Sequence, residues 1–199
     1  MPLAIIDCGT NTFHLLIVEA KANGKFKIIF KTKAVVKLGE AGITKRFISA
    51  APFERGLSAL KSFAVKIKEY QAEQIYAFAT AALRKAKNGK EFIALAEKQT
   101  RIKIELISGS REAELIYYGV REAVNMQEQT SLIVDIGGGS TEFIIANQRK
   151  IFWKHSYELG AALLLEKFKP SDPITESELG EIHTYLQQTL VPLFTACKK

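Results

Sequence analysis

Ser131-Leu-Ile-Val-Asp-Ile-Gly-Gly-Gly-Ser-Thr-Glu-Phe-Ile-Ile-Ala146 is the stretch from which the rest of the chain is best read. Its apolar run, Leu132 to Val134, predicts a buried strand. The run ends in Asp135, and after Ile136 come three consecutive glycines, Gly137 to Gly139, then Ser140. A second β-prone run, Thr141 to Ala146, leads away. Glycine admits positive φ and carries no Cβ, so the backbone can turn tightly and let an anion approach its N–H groups. Asp135 and Glu142 flank the bend, and both are hard oxygen ligands of the type magnesium prefers. Such a hairpin suits a metal-bound phosphate. For one isolated copy, a Gly-rich turn with two solvated acids is the plainer alternative.

The copy is not isolated. Residues Ile5-Ile-Asp-Cys-Gly-Thr-Asn-Thr-Phe-His-Leu-Leu-Ile17 align without a gap on Ile133-Val-Asp-Ile-Gly-Gly-Gly-Ser-Thr-Glu-Phe-Ile-Ile145. Asp7 falls on Asp135, Gly9 on Gly137, Thr12 on Ser140, at a constant offset of 128 residues. Two strand–Asp–x–Gly–turn–strand units at domain spacing predict a duplicated fold whose two turns face one cleft and share one phosphate chain.

The two hairpins resemble the phosphate motifs of the actin, heat-shock chaperone and sugar-kinase superfamily. Within it, Asp7 to His14 and Asp135 to Glu142 most resemble the exopolyphosphatase/guanosine pentaphosphate phosphohydrolase family. Ala79-Thr-Ala-Ala-Leu-Arg84 and Ile107-Ser-Gly-Ser-Arg-Glu-Ala-Glu-Leu-Ile116 support that branch. The resemblance implies a duplicated ribonuclease H-like (actin-like ATPase) α/β fold, a magnesium cofactor, and polyphosphate or guanosine pentaphosphate as substrate.

Composition is compatible with this. With 47% hydrophobic residues the chain of 199 can bury a core, and Lys and Arg exceed Asp and Glu by 28 to 21. A basic balance attracts polyanions. No zinc-finger spacing, RNA-binding aromatic signature or basic run accompanies it, so specific nucleic-acid binding is not expected. Cys8 and Cys197 make neither a metal signature nor a disulfide framework. No charged leader precedes the first strand, and no apolar run approaches the ~20 residues that span a bilayer, so the expectation is a cytoplasmic protein with no membrane partner.

Along the chain, strands are predicted at Leu3–Asp7, Thr12–Ala20 and Lys25–Leu38, with Asn23-Gly24 as a hairpin signal. A helix from about Pro52 to Tyr70 follows, capped by Ser49. Then come a strand at Gln74–Thr80, a helix at Gly89–Thr100, a strand at Ile102–Ile107, and a helix capped by Ser110 running to about Val124. Ala113, Ile116, Val120 and Ala123 form that helix's inward stripe. Alternating helices and strands predict an α/β sheet. Polar Asn125 to Thr130 marks the boundary between domains 1–125 and 126–199. Strands at Leu132–Asp135, Thr141–Ala146 and Lys150–Tyr157 follow, then a short helix at Gly160–Phe168. A last helix opens on a Thr175/Glu178 capping box and runs through Leu193. In the first copy the strand after the long helix begins near Gln74. Its counterpart falls beyond Lys199, so the second domain is expected to be incomplete. Exposed apolar surface and a strand edge are expected there, and with them either a homo-oligomer formed through the second domain or lower stability there than in residues 1–125.

Cleaving a phosphoanhydride calls for a metal that bridges phosphate oxygens. Asp7 and Asp135, each beside a turn, and Glu142, facing the cleft by period two, are the candidate ligands; Asx-type capping and an exposed edge carboxylate are the alternatives. The turn residues Gly9, Thr10, Asn11 and Thr12, with Gly137, Gly138, Gly139 and Ser140, are the candidate phosphate contacts. Arg84 joins them by resemblance, since a guanidinium bridges phosphate oxygens in a bidentate way. Glu112 lies in a helix's first turn, where the dipole alone favours a carboxylate. The resemblance makes it the catalytic base that activates water. His14, His155 and His183 have no zinc-site spacing, and structural roles are expected for them and for Trp153. Two rival readings remain: a non-catalytic module that holds polyphosphate or alarmone, and a fragment of a superfamily ATP-dependent kinase.

Overall fold

A computed structural model describes residues 1–21 and 25–198. The Asn23-Gly24 hairpin signal lies outside the described residues. Packing divides the chain into two compact units, Met1–Ser108 and Gly109–Lys199.

The first unit runs β1 (Pro2–Cys8), β2 (Thr12–Ala20), β3 (Phe26–Val35), α1 (Ala50–Glu69), β4 (Gln74–Ala79), α2 (Ala81–Lys85), α3 (Gly89–Thr100) and β5 (Ile104–Leu106). Its sheet has the order β3-β2-β1-β4-β5. β1 pairs antiparallel with β2 and parallel with β4. Period two puts Ala4, Ile6 and Cys8 of β1 on one face with Phe13, Leu15 and Ile17 of β2, and all six are buried. Helical period puts Leu57, Leu60, Phe63 and Ile67 of α1 and Phe92 and Ala96 of α3 against them. Burying each large side chain contributes about 1.5–3 kcal/mol, so this layer is the unit's main source of stability. Ser49 is the N-cap residue of α1 as expected, but its hydroxyl donates to the Glu40 carbonyl rather than capping the helix. The short helix α2, which carries Arg84, is not apparent from the sequence pattern, because five residues show no periodicity.

The second unit runs α4 (Gly109–Ala123), β6 (Ser131–Ile136), β7 (Thr141–Ala146), β8 (Ile151–Tyr157), α5 (Ala161–Phe168), α6 (Glu176–Thr189) and α7 (Val191–Cys197). β6-β7-β8 form an antiparallel sheet of three strands, against five in the first unit. The central strand β7 is buried throughout. Ala113 and Tyr117 of α4 pack on Ile144 and Ala146. Phe143 on the opposite face packs with Tyr157, Leu159 and Leu193, joined by half-buried Trp153, Tyr185 and Leu186.

Five details depart from the sequence reading. The compact units divide before α4 rather than at residues 125/126, because the apolar stripe of α4 packs on the second sheet. That stripe uses Tyr117 where Ala123 was expected; Ala123 is exposed. The helix also begins at Gly109, so Ser110 is inside it and does not cap it. The apolar run of β6 is buried on one face only: Ile133 packs on the core, whereas Leu132, Val134 and Ile136, on the other face of this edge strand, are 48%, 45% and 69% exposed. Finally, the last helix is two helices that meet at Leu190. Pro192 lacks an N–H and its ring meets the preceding turn, so it is tolerated only in the first turn of a new helix. No helix among the described residues is long and apolar enough to cross a membrane.

Candidate active site

In the first unit Asp7 faces His14 and Cys8 faces Phe13 across β1 and β2. A Cβ on Gly9 would stand 2.8 Å from the Thr12 carbonyl oxygen, so the tight bend needs glycine there. The segment leaving β3 clamps this turn. Val36 and Lys37 N–H both donate to the Asn11 carbonyl at 2.9 Å, and Leu38 N–H donates to that of Thr10 at 2.7 Å. A trans peptide points its N–H opposite its C=O, so the Asn11 and Thr12 amides turn away from the clamp. Cys8 ends β1 beside Ala79, the last residue of β4, and α2 starts directly after it. Arg84 is therefore brought to the sheet end that carries the Gly9 turn, where its Nη1 donates to the Ile107 carbonyl at 3.0 Å. It is anchored, not a loosely solvated cation. Burial, with Asp7 adding, pushes the Cys8 thiol well above its ordinary range, so it is no nucleophile.

The second unit repeats the hairpin residue for residue. Asp135 faces Glu142 and Ile136 faces Thr141, the same register 128 positions on. A Cβ on Gly137 would stand 3.0 Å from the Ser140 carbonyl oxygen, and Gly137 N–H donates to that oxygen at 2.9 Å. Here the clamp is the start of α5. Ala161 N–H donates to the Gly137 carbonyl at 2.9 Å, and Ala162 and Leu163 donate to that of Gly138 at 3.0 and 3.2 Å. By the same planarity the Gly138 and Gly139 amides point away from α5. Thr141 Oγ1 donates to the Leu159 carbonyl at 3.0 Å and fixes the approach.

Glu142 is 2% exposed, and Ser156 Oγ donates to its Oε1 at 2.6 Å. Asp135, its cross-strand partner, is exposed. Side chains directly opposite in an antiparallel pair have Cβ atoms about 4.5–5.5 Å apart, so both carboxylates can reach one ion. Magnesium usually takes one or two carboxylates and keeps several waters, and this pair fits it. No group of three or more His, Cys, Asp or Glu among the described residues is arranged to hold a metal. Glu112, in the first turn of α4, is half-buried. It precedes Ala113, which packs on the sheet face that carries Ile144 and, two residues earlier, Glu142. Glu114 is held by Arg111 at 2.7 Å, and these contacts, with Lys154, lower its pKa. That fits the structural role its position predicts. His155 packs between Trp153 and Tyr157, with ring centroids at 6.0 and 4.4 Å.

Sequence reasoning passed over Ser156, Gly160 and the Val36–Leu38 clamp. Ser156 was reachable, since period two on β8 puts it opposite Glu142 once the strands are aligned. Gly160 was not, because its role depends on α5 folding back onto the turn.

A sheet order of β3-β2-β1-β4-β5, with its opening hairpin repeated 128 residues on, defines a duplicated ribonuclease H-like protein of the actin-like ATPase fold. The chain belongs to the Ppx/GppA phosphatase family, whose sequence profile matches residues 17–199. Among solved structures, an exopolyphosphatase from Cytophaga hutchinsonii is 41% identical with a TM-score of 0.97, covering 100% of this chain and 63% of that one. The Ppx/GppA enzyme of Aquifex aeolicus is 30% identical with a TM-score of 0.78, covering 97% and 64%. An exopolyphosphatase-like protein is 28% identical with a TM-score of 0.85, covering 95% and 61%. The chain thus spans somewhat under two thirds of the length of these relatives.

Proposed function

We propose that the chain is a metal-dependent phosphohydrolase that releases terminal orthophosphate from inorganic polyphosphate, or the 5′ γ-phosphate from guanosine pentaphosphate. The observation that carries this reading is the cross-strand row Asp135–Glu142–Ser156 beside a glycine turn whose amides are turned outward. Family membership and the exopolyphosphatase neighbours support the reaction class.

In this mechanism the outward amides of Gly138 and Gly139, with Ser140, hold phosphate oxygens in the second unit. Gly9, Thr10, Asn11 and Thr12 serve the same purpose in the first unit, together with Arg84. Asp135 and Glu142 hold magnesium, with Asp7 as the equivalent acid of the first hairpin. When bound, the ion neutralises charge on the phosphoryl oxygens. Glu112 orients a water and takes its proton as the water oxygen bonds to the terminal phosphorus. The anhydride P–O bond breaks, and the shortened chain leaves with the bond's electron pair. A cytoplasmic setting completes the proposal.

The alternative is a module that holds polyphosphate or alarmone without turnover. Orthophosphate release from polyphosphate, guanosine pentaphosphate and ATP, measured side by side with magnesium, tests both. Release from either of the first two supports the hydrolase. Tight binding with no release supports the module, and selective turnover of ATP with phosphoryl transfer to an acceptor supports a kinase.

A further inference from the structure

The hairpins are duplicates, yet the rows of side chains crossing them differ. In the first unit the row reads Asp7, His14, Lys33; in the second it reads Asp135, Glu142, Ser156. The first row carries one acid beside two basic side chains. The second carries two acids and ends in a hydroxyl, so it is the row suited to a cation. The hydroxyl is engaged, since Ser156 Oγ lies 2.6 Å from Glu142 Oε1. At 2% exposure Glu142 has little water to orient it, so its rotamer and the aim of its second oxygen depend on protein donors. Ser156 is itself held in place, because β8 pairs with β7 in register from Thr141/Tyr157 to Ile145/Trp153. Immediately beyond β8, Leu159 accepts from Thr141 and α5 clamps the glycine turn. One strand exit therefore orients both the acid and the turn.

We propose that Ser156 is a positioning residue: its hydroxyl holds the Glu142 carboxylate in the orientation that presents the other oxygen to magnesium. This rests on the reading of Asp135 and Glu142 as the magnesium pair. Hydrogen-bond partners of ligating carboxylates typically account for about 10–100-fold in metal affinity or activity when removed.

The test is calorimetric titration of magnesium into the full chain, alone and with tripolyphosphate present, together with thermal unfolding. Ser156→Ala is expected to weaken magnesium binding by about tenfold or more. Ser156→Thr, which keeps the hydroxyl and favours a strand, is expected to restore it. Melting temperatures of both variants stay close to that of the parent chain. A Ser156→Ala chain that binds magnesium within about twofold of the parent overturns this inference alone and leaves the metal pair standing. Equal losses in Ser156→Ala and Ser156→Thr, tracking a lowered melting temperature, also overturn it, because the residue would then be structural. A parent chain that binds no magnesium in either condition overturns the metal pair and this inference with it.

Discussion

Asp135 stands directly opposite Glu142 across β6 and β7, in the register in which Asp7 stands opposite His14. The duplication thus preserved the turn but placed two carboxylates side by side only in the second unit. Asp135→Asn or Glu142→Gln removes one negative charge from that pair while keeping its shape. Each is expected to raise the magnesium concentration needed for half-maximal phosphate release. An unchanged magnesium requirement in both variants would remove the pair from the metal site.

Glu112 is argued to act on water rather than on the metal. Glu112→Gln keeps hydrogen-bonding capacity but removes the base, and general-base catalysis typically contributes about 10²–10⁴-fold. Turnover is expected to fall by about that factor while affinity for polyphosphate barely changes. Wild-type turnover in the variant would leave Glu112 as a residue placed only by the helix dipole.

Gly160 is required by packing. A Cβ there would lie 2.3 Å from the carbonyl carbon and oxygen of Gly138 and from the nitrogen of Gly139, all of them backbone. None of these atoms can swing aside as a side chain would. Gly160→Ala is therefore expected to destabilise the second unit by about 1–3 kcal/mol, the usual range for overpacking. It should also displace the glycine turn, so phosphate binding weakens with it. A denaturant midpoint equal to the parent's would show that the turn relaxes freely.

The edge strand β6 exposes Leu132, Val134 and Ile136 on one face and carries neither Lys nor Pro to blunt pairing. The chain is expected to self-associate through this edge, or to exchange its β6 amides faster than those of β1, which is paired on both sides. Val134→Lys is expected to reduce association in sedimentation analysis. Equal protection of β1 and β6 in a strict monomer would count against it.

The Thr175–Glu178 capping box carries a pH signature. Glu178 accepts from Thr175 N–H at 2.8 Å, from the Thr175 and Ser171 hydroxyls at 2.7 Å each, and from Ser171 N–H at 2.9 Å. These bonds, the Thr175 amide first, lower its pKa from the ordinary 4.5 to about 2. A carboxyl depressed on folding contributes stability that is present above its unfolded value and is lost as pH falls towards its folded one. The start of α6 is therefore expected to hold at pH 6 and loosen between about 4.5 and about 2. Amide exchange at Glu176 to Leu179 reads this directly, and Glu178→Gln should abolish the pH dependence.

Much of this molecule was legible in its sequence for a local reason. A strand, an Asp, a glycine bend and a returning strand form within about a dozen residues, so period two and turn chemistry determine the hairpin and its register before any tertiary contact exists. The gapless match of Ile5–Ile17 to Ile133–Ile145 became the matching registers of β1-β2 and β6-β7. The Thr175 cap and α3 were readable on the same local grounds. Burial is a property of neighbours. The run Leu132–Val134 looks like a core strand, yet only Ile133 packs on the core, while Leu132 and Val134 project from the opposite face and are exposed. Period two turns Glu142 towards a cleft, but only the assembled sheet shows it 2% exposed with the Ser156 hydroxyl on its carboxylate. An apolar stripe states that α4 must pack but not on what, so only the fold could assign it to the second sheet. The same holds for Gly160 and Ser156. Each acts on a residue that lies 14 or more positions earlier in the chain, and tertiary structure alone brings such distant residues into contact.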